Sequence, residues 1–145
     1  MKAKRILVPL DGSESAEAAA SLAADLARGS GGGVRLLQVH SVPENRVSDT
    51  GRVVAYADQE MERVAAEGRD YLESVEARLA PVPAESVVRF GKPAREILVE
   101  AEAFDADLIV LTADRRNWFA RLTGGGVGER LLHASPVPVV LVRAP

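Results

Sequence analysis

Short apolar runs rich in β-branched residues alternate with longer stretches in which alanine and leucine recur at helical spacing. Ile6 to Leu10 is compact and apolar, and it breaks at Asp11-Gly12-Ser13. That tripeptide reads as a turn and the N-cap of a helix over Ser15 to Arg28, with Ala19, Leu22, Ala23 and Leu26 on one face. Gly29 and Gly31 to Gly33 stop it. Val34 to Val42 predicts a second strand, buried on much of both faces. Residues 43–52 are polar and predict a surface loop. A long helix follows from about Val53 to Leu79, its apolar stripe traced by Met61, Val64, Ala65, Gly68, Leu72, Val75 and Leu79, and Pro81 and Pro83 end it.

The second half repeats the alternation. Ser86 to Phe90 is a third strand, and Gly91-Lys92-Pro93 opens a helix over Ala94 to Ala103. Leu108 to Leu111 is a fourth, continuously apolar strand. Residues 112–124 read as irregular; Gly124 to Gly126 and Gly128 then lead into a helix from about Glu129 to Ala134, and Val137 to Val142 is the last strand. Strands alternating with helices predict right-handed crossovers and a mostly parallel sheet covered on both faces, in one α/β domain spanning residues 1–145.

Composition narrows the function classes. A net charge of −3 lacks the broad positive field of a general nucleic-acid binder and gives no electrostatic hold on an anionic membrane. The absence of cysteine excludes disulfides, thiol nucleophiles and thiolate metal sites. No apolar run reaches the ~20 residues needed to span a bilayer. The apolar start is cut by Pro9 and Asp11, so it reads as a strand and not as an export signal, and the expected location is cytoplasmic.

In a parallel sheet of this kind, ligands bind beyond the carboxyl ends of the strands. Asp11, the Val39-His40-Ser41 segment and Thr112 fall there. Asp11 either accepts hydrogen bonds from an adenine amino group or a ribose hydroxyl, or caps the first helix, and the two roles can coexist. The glycine cluster offers backbone N–H groups at a helix N-terminus, and Arg115, Arg116 and Arg121 stand near it as candidate phosphate contacts. It is not a Walker motif, since no Gly-Lys-Ser/Thr occurs. Trp118 and Phe119 read either as a partner contact or as side chains folded back on the protein. His133 lies near a helix C-terminus, where a cation is favourable. Val137, Val139, Val140, Leu141 and Val142 make a sticky edge if the last strand is outermost, which predicts a symmetric homodimer.

KRILVPLDGSESA (4–16), GKPAREIL (91–98), DADLIVL (105–111) and GERLLHASPVPVVLVR (128–143) together resemble the universal stress protein family, in order and over the whole chain. The resemblance implies a Rossmann-like, five-stranded parallel sheet of order 3-2-1-4-5 with helices on both faces, and dimers formed through the last strand. Many members of the family bind ATP and others lack the nucleotide site. The ATP-binding pattern after the fourth strand, Gly-x-x-Gly, nine residues, then Gly-Ser/Thr, falls here on Thr112, Arg115, Gly125 and Gly126, and only Gly125 matches. Each lost phosphate contact is worth ~1 kcal/mol or somewhat more. The adenine end is better kept: Asp11 matches the family's adenine-contacting acid and Val39 the position whose backbone meets the base. The resemblance thus implies a nucleotide site on Pro9, Leu10, Asp11, Val39, Thr112, Arg115, Gly125, Gly126 and Val127. The expected ligand is ATP, with magnesium, or AMP. The expected role is a non-catalytic stress-response regulator that senses an adenine nucleotide at a partly degenerate site. The alternative is a nucleotide-independent dimeric module that binds an unidentified protein partner.

Overall fold

The computed structural model of the chain describes residues 3–43, 46–47, 51, 53–113 and 126–143. Along the chain run β1 (Arg5–Pro9), α1 (Glu17–Ser30), β2 (Gly33–His40), β3 (Arg46–Val47), β4 (Val53–Ala55), α2 (Ala57–Leu79), β5 (Ala84–Phe90), α3 (Pro93–Phe104), β6 (Leu108–Ala113), α4 (Gly126–Ala134) and β7 (Val139–Arg143). Five strands pair in the order β5-β2-β1-β6-β7, every neighbouring pair parallel. Counted along the chain, that is the expected order 3-2-1-4-5.

The β1 sequence shows why two helical layers are needed. Ile6 and Val8 point into one core with the α1 alanines Ala19, Ala20, Ala23 and Ala27 and with Leu72 and Val75 of α2. Leu7 points into the other, with Ile97 and Phe104 of α3 and Leu131 of α4. A strand buried on both faces reads as a continuous apolar run because each face meets a helix. Among the described residues no helix is long and apolar enough to cross a membrane.

Several boundaries differ from the sequence expectation. The long second helix begins at Ala57, and Val53–Ala55 instead pairs antiparallel with Arg46–Val47 as a small separate sheet. The adjacent β-branched pair Val53-Val54 favours extended backbone over a helical start. The first helix begins at Glu17, with Ala16 at its N-cap position and no side-chain cap there. The Asp11 carboxylate accepts instead from the Ser13 N–H at 2.9 Å and the Ser13 hydroxyl at 2.6 Å, while Ser13 Oγ accepts from the Ala16 N–H at 3.2 Å. The cap chemistry therefore sits one turn early, on the lead-in to α1. The last strand starts at Val139; Val137 precedes it, its N–H and C=O both bonded by the Ser135 hydroxyl at 3.2 and 2.7 Å.

Candidate functional site

The candidate site lies at the carboxyl end of the sheet, where β1 is shorter than β2. The β1–β2 register ends at Pro9↔Leu37, and the Leu10 N–H donates to the Leu37 carbonyl at 2.7 Å. The β2–β5 register runs three residues further, to His40↔Phe90, and the Gly91 N–H donates to the His40 carbonyl at 2.9 Å. Backbone groups alternate sides along a strand. Leu37 faces β1, so the N–H and C=O of Val39 face the same way, and no β1 residue is paired opposite them. A donor and an acceptor of one residue thus look out over the turn that follows β1. A purine edge that offers an acceptor beside a donor fits such a pair.

That turn is held in place. Pro9 and Leu10 are buried, Asp11 is half-buried, and Gly12 adopts φ +87°, a left-handed conformation that suits a residue without Cβ. Asp11 is oriented by Ser13 as described above. Beside it, the Tyr71 hydroxyl of α2 donates to Glu17 at 3.2 Å. Burial pushes the Tyr71 phenol above its ordinary range, and the carboxylates of Glu17 and Asp11 push it the same way. The phenol is therefore a neutral donor beside two acids.

The other predicted residues divide. Thr112 is buried in β6 and its hydroxyl donates to the Ala16 carbonyl at 3.2 Å, so its side chain sits on the α1 face under the lead-in that Ser13 stabilises. Val127 is buried in the same α3/α4-side core as Val39, and Gly126 is the first residue of α4. Gly128 has a packing reason of its own: a Cβ there would stand 3.3 Å from the Leu141 side chain, so its absence lets α4 lie close on β7. Arg115, Arg116, Trp118, Phe119, Arg121, Gly124 and Gly125 lie outside the described residues.

His40 turns its half-buried ring to the α2 side, where Nε2 lies 2.8 Å from Gln38 Oε1 and the ring stands 5.8 Å from that of Phe90. Burial lowers its pKa from the ordinary value, against the pull of Glu67. From the sequence, Gln38 carries no site role and Gly68 reads only as part of the apolar stripe of the long helix. Gln38 is a buried amide in an otherwise apolar strand end, lying close under Gly12. Gly68 makes room for it, since a Cβ at 68 would come within 2.6 Å of Gln38 Oε1 and 3.3 Å of His40 Nε2. The signal was present: a glutamine inside VRLLQVH and a glycine inside a long helix, where it costs ~1 kcal/mol against alanine.

The β7 residues proposed for pairing lie on an outer strand. Val139 and Val140 pair with Ile109 and Val110 of β6 on one side only. Val137 and Val139 lean on one core, Val140 and Val142 on the other, and Leu141 is 39% exposed.

Comparison with known proteins agrees with this architecture. The Universal stress protein family profile matches residues 2–143. Universal stress protein Rv2005c of Mycobacterium tuberculosis is 32% identical over 139 residues, which cover 95% of this chain and 45% of the relative. The chain thus spans a little under half the length of that protein. A universal stress protein crystallised with cAMP superimposes with a TM-score of 0.71 at 18% identity, each chain fully covered. The universal stress protein of Archaeoglobus fulgidus in complex with dAMP superimposes with a TM-score of 0.60 at 21% identity, covering 98% of this chain and 99% of its own. At these identities the superpositions speak for the fold. With the profile spanning nearly the whole sequence and the sheet order as found, this chain belongs to the universal stress protein family.

Proposed function

We propose that this chain is a cytoplasmic, non-catalytic regulator that senses an adenine nucleotide at the carboxyl end of its sheet and works as a homodimer joined through β7. The observation that carries the reading is the overhang of β2 beyond β1, which leaves the Val39 backbone pair facing the Asp11 turn. In this reading Val39 meets the base edge, and Asp11 accepts from the adenine amino group or a ribose hydroxyl. Pro9 and Leu10 wall the base. Gly126 and Val127, at the start of α4, offer backbone N–H groups to phosphate, with Gly125 and Arg115 from the preceding segment. Proteins of the same fold have been solved in complex with cAMP and with dAMP, which supports an adenine monophosphate as ligand.

Two substitutions weaken the phosphate end relative to the family pattern. Gly126 replaces a hydroxyl residue, and Thr112 replaces a glycine with a side chain already engaged with Ala16. Losing such contacts costs more for a triphosphate than for a monophosphate. The chain is therefore expected to favour AMP over magnesium-ATP more than family members that keep the full pattern.

Thermal-shift titration of the purified protein with AMP, and with ATP and magnesium in parallel, tests this. Ligand at a hundred times its dissociation constant stabilises by about 2.7 kcal/mol, roughly 5–10 °C for a domain of this size. The expected result is a saturable shift with AMP that Asp11→Ala reduces at least tenfold in apparent affinity. A flat response to both nucleotides up to millimolar concentration overturns the reading and leaves the dimeric protein-interaction module.

A further inference from the structure

Away from the nucleotide site, α3 and α4 border an open groove of about 470 Å³. Leu98 and Ala134 supply its apolar surface, Arg95, Arg130 and His133 flank it, and Glu129 stands on its wall. Of the arginines elsewhere, Arg28, Arg35, Arg63, Arg78 and Arg89 each reach a carboxylate of the same chain and Arg5 stacks on the Phe104 ring, while Arg69 and Arg143 make no ion pair among the described residues. Arg95 and Arg130 are exposed and make no ion pair among the described residues. Each helix also exposes an aliphatic side chain within a turn of the groove: Val99, 40% exposed and four residues after Arg95, and Leu132, 51% exposed and three residues after Glu129.

Arg95 and Arg130 beside aliphatic surface, against the single carboxylate of Glu129, give this groove a positive excess on a chain whose net charge is −3. The complement of such a groove is a segment that carries carboxylates on either side of an aliphatic stripe. Laying a helix along the groove between two helices buries that stripe, and the carboxylates then pair with the flanking guanidinium groups. A nucleic acid fits less well, because it brings no aliphatic face to Leu98 and would place phosphates beside Glu129. We propose that the α3–α4 groove is a docking surface for an acidic, amphipathic helical segment of a partner protein, with Arg95 and Arg130 as its charge-reading residues.

The test is fluorescence anisotropy at low salt with a labelled amphipathic helical peptide of glutamate and leucine, and with its counterpart carrying lysine for glutamate. The proposal expects saturable binding of the glutamate peptide only. It expects that affinity to fall by a factor of about ten or more in Arg95→Glu/Arg130→Glu, each lost charge pair counting for a substantial share. Arg69→Glu, an exposed arginine of α2 away from the groove, is expected to leave it within about twofold, the usual range for a distant surface change. Circular dichroism verifies that both variants fold, and a single Arg130→Gln replaces the double variant if it does not. Equal binding of both peptides, an unchanged affinity in the groove variants, or an equal loss in Arg69→Glu overturns it. So does a groove variant that alters sedimentation of the free protein while peptide binding stays the same, since the groove then belongs to a second copy of this chain.

Discussion

The two outer strands of the sheet handle their open edges in opposite ways. β5 pairs with β2 along its full length and carries charge in its own sequence, Glu85 and Arg89. Both are anchored: Glu85 to Arg35 at 2.7 Å, Arg89 to Glu96 at 2.9 Å and to Glu100 at 3.1 Å. Glu100, only 3% exposed, joins the two strands by also binding Arg35 at 2.5 Å, and the Arg35 guanidinium stacks 4.2 Å from the Phe104 ring. β7 has no such network among the described residues. Its run Val139 to Val142 is apolar, and its one charge, Arg143, is at the end. Charged, tied-down edges resist pairing with another chain, whereas apolar edges without charge invite it. One edge is closed by chemistry within the monomer, and the other is the edge that the proposed homodimer uses.

The largest expected effect breaks the closed edge. Glu100→Ala leaves two arginines without their shared, buried carboxylate, and removing one partner of such a network costs about 3–5 kcal/mol. The retained contacts with Glu85 and Glu96 put the expectation at the lower end, about 3 kcal/mol. Urea denaturation followed by circular dichroism reads this directly, and a loss below about 1 kcal/mol, the worth of a surface pair, makes the network a surface feature.

The open edge is probed next. Leu141→Lys places a charge on β7 at a side chain that is 39% exposed, and in a symmetric pair it does so twice. Self-association is expected to weaken about a hundredfold, or about 2.8 kcal/mol. Sedimentation velocity across a dilution series measures it. A wild-type chain that is monomeric at every concentration, or a variant that dimerises as before, removes β7 from the interface.

The smallest effect separates the edges by pH. His40 lies at the β5 side of the sheet, against Gln38, Phe90 and Glu67, and burial lowers its pKa below the ordinary 6.5. The folded ring holds its proton more weakly than the unfolded chain does. Stability is therefore unaffected well above 6.5 and falls as pH drops through that value, until the folded ring also takes up a proton. The difference in unfolding stability between wild type and His40→Gln, measured across this range, is expected to show that slope. Association through β7, whose core residues Val139 to Val142 do not titrate, is expected to stay level over the same interval. A slope of opposite sign means that Glu67 outweighs burial at this ring.

Local pattern carried much of this far. The alternation of apolar runs with alanine-rich stretches reaches the parallel, two-layered sheet because each strand's composition records whether it is covered on one face or both. It failed at Val53–Ala55, where a β-branched pair sits directly before a helical stripe and the two periods overlap. At the candidate site, Asp11 and Thr112 were legible as residues at strand ends, but the bonds that engage them, to Ser13 and to Ala16, were not.

What the sequence by itself determined is the order of elements, the placing of glycine and acid at the ends of strands, and the departures at Thr112 and Gly126 from the family pattern. The tertiary structure alone decided which groups meet. The reach of β2 past β1, the fit of Gln38 into the space left by Gly68, and the convergence of Arg35 and Arg89 on Glu100 depend on residues tens of positions apart. Strand register and helix packing set those distances to within an ångström. Propensity acts over a turn or two of chain and carries no information about them.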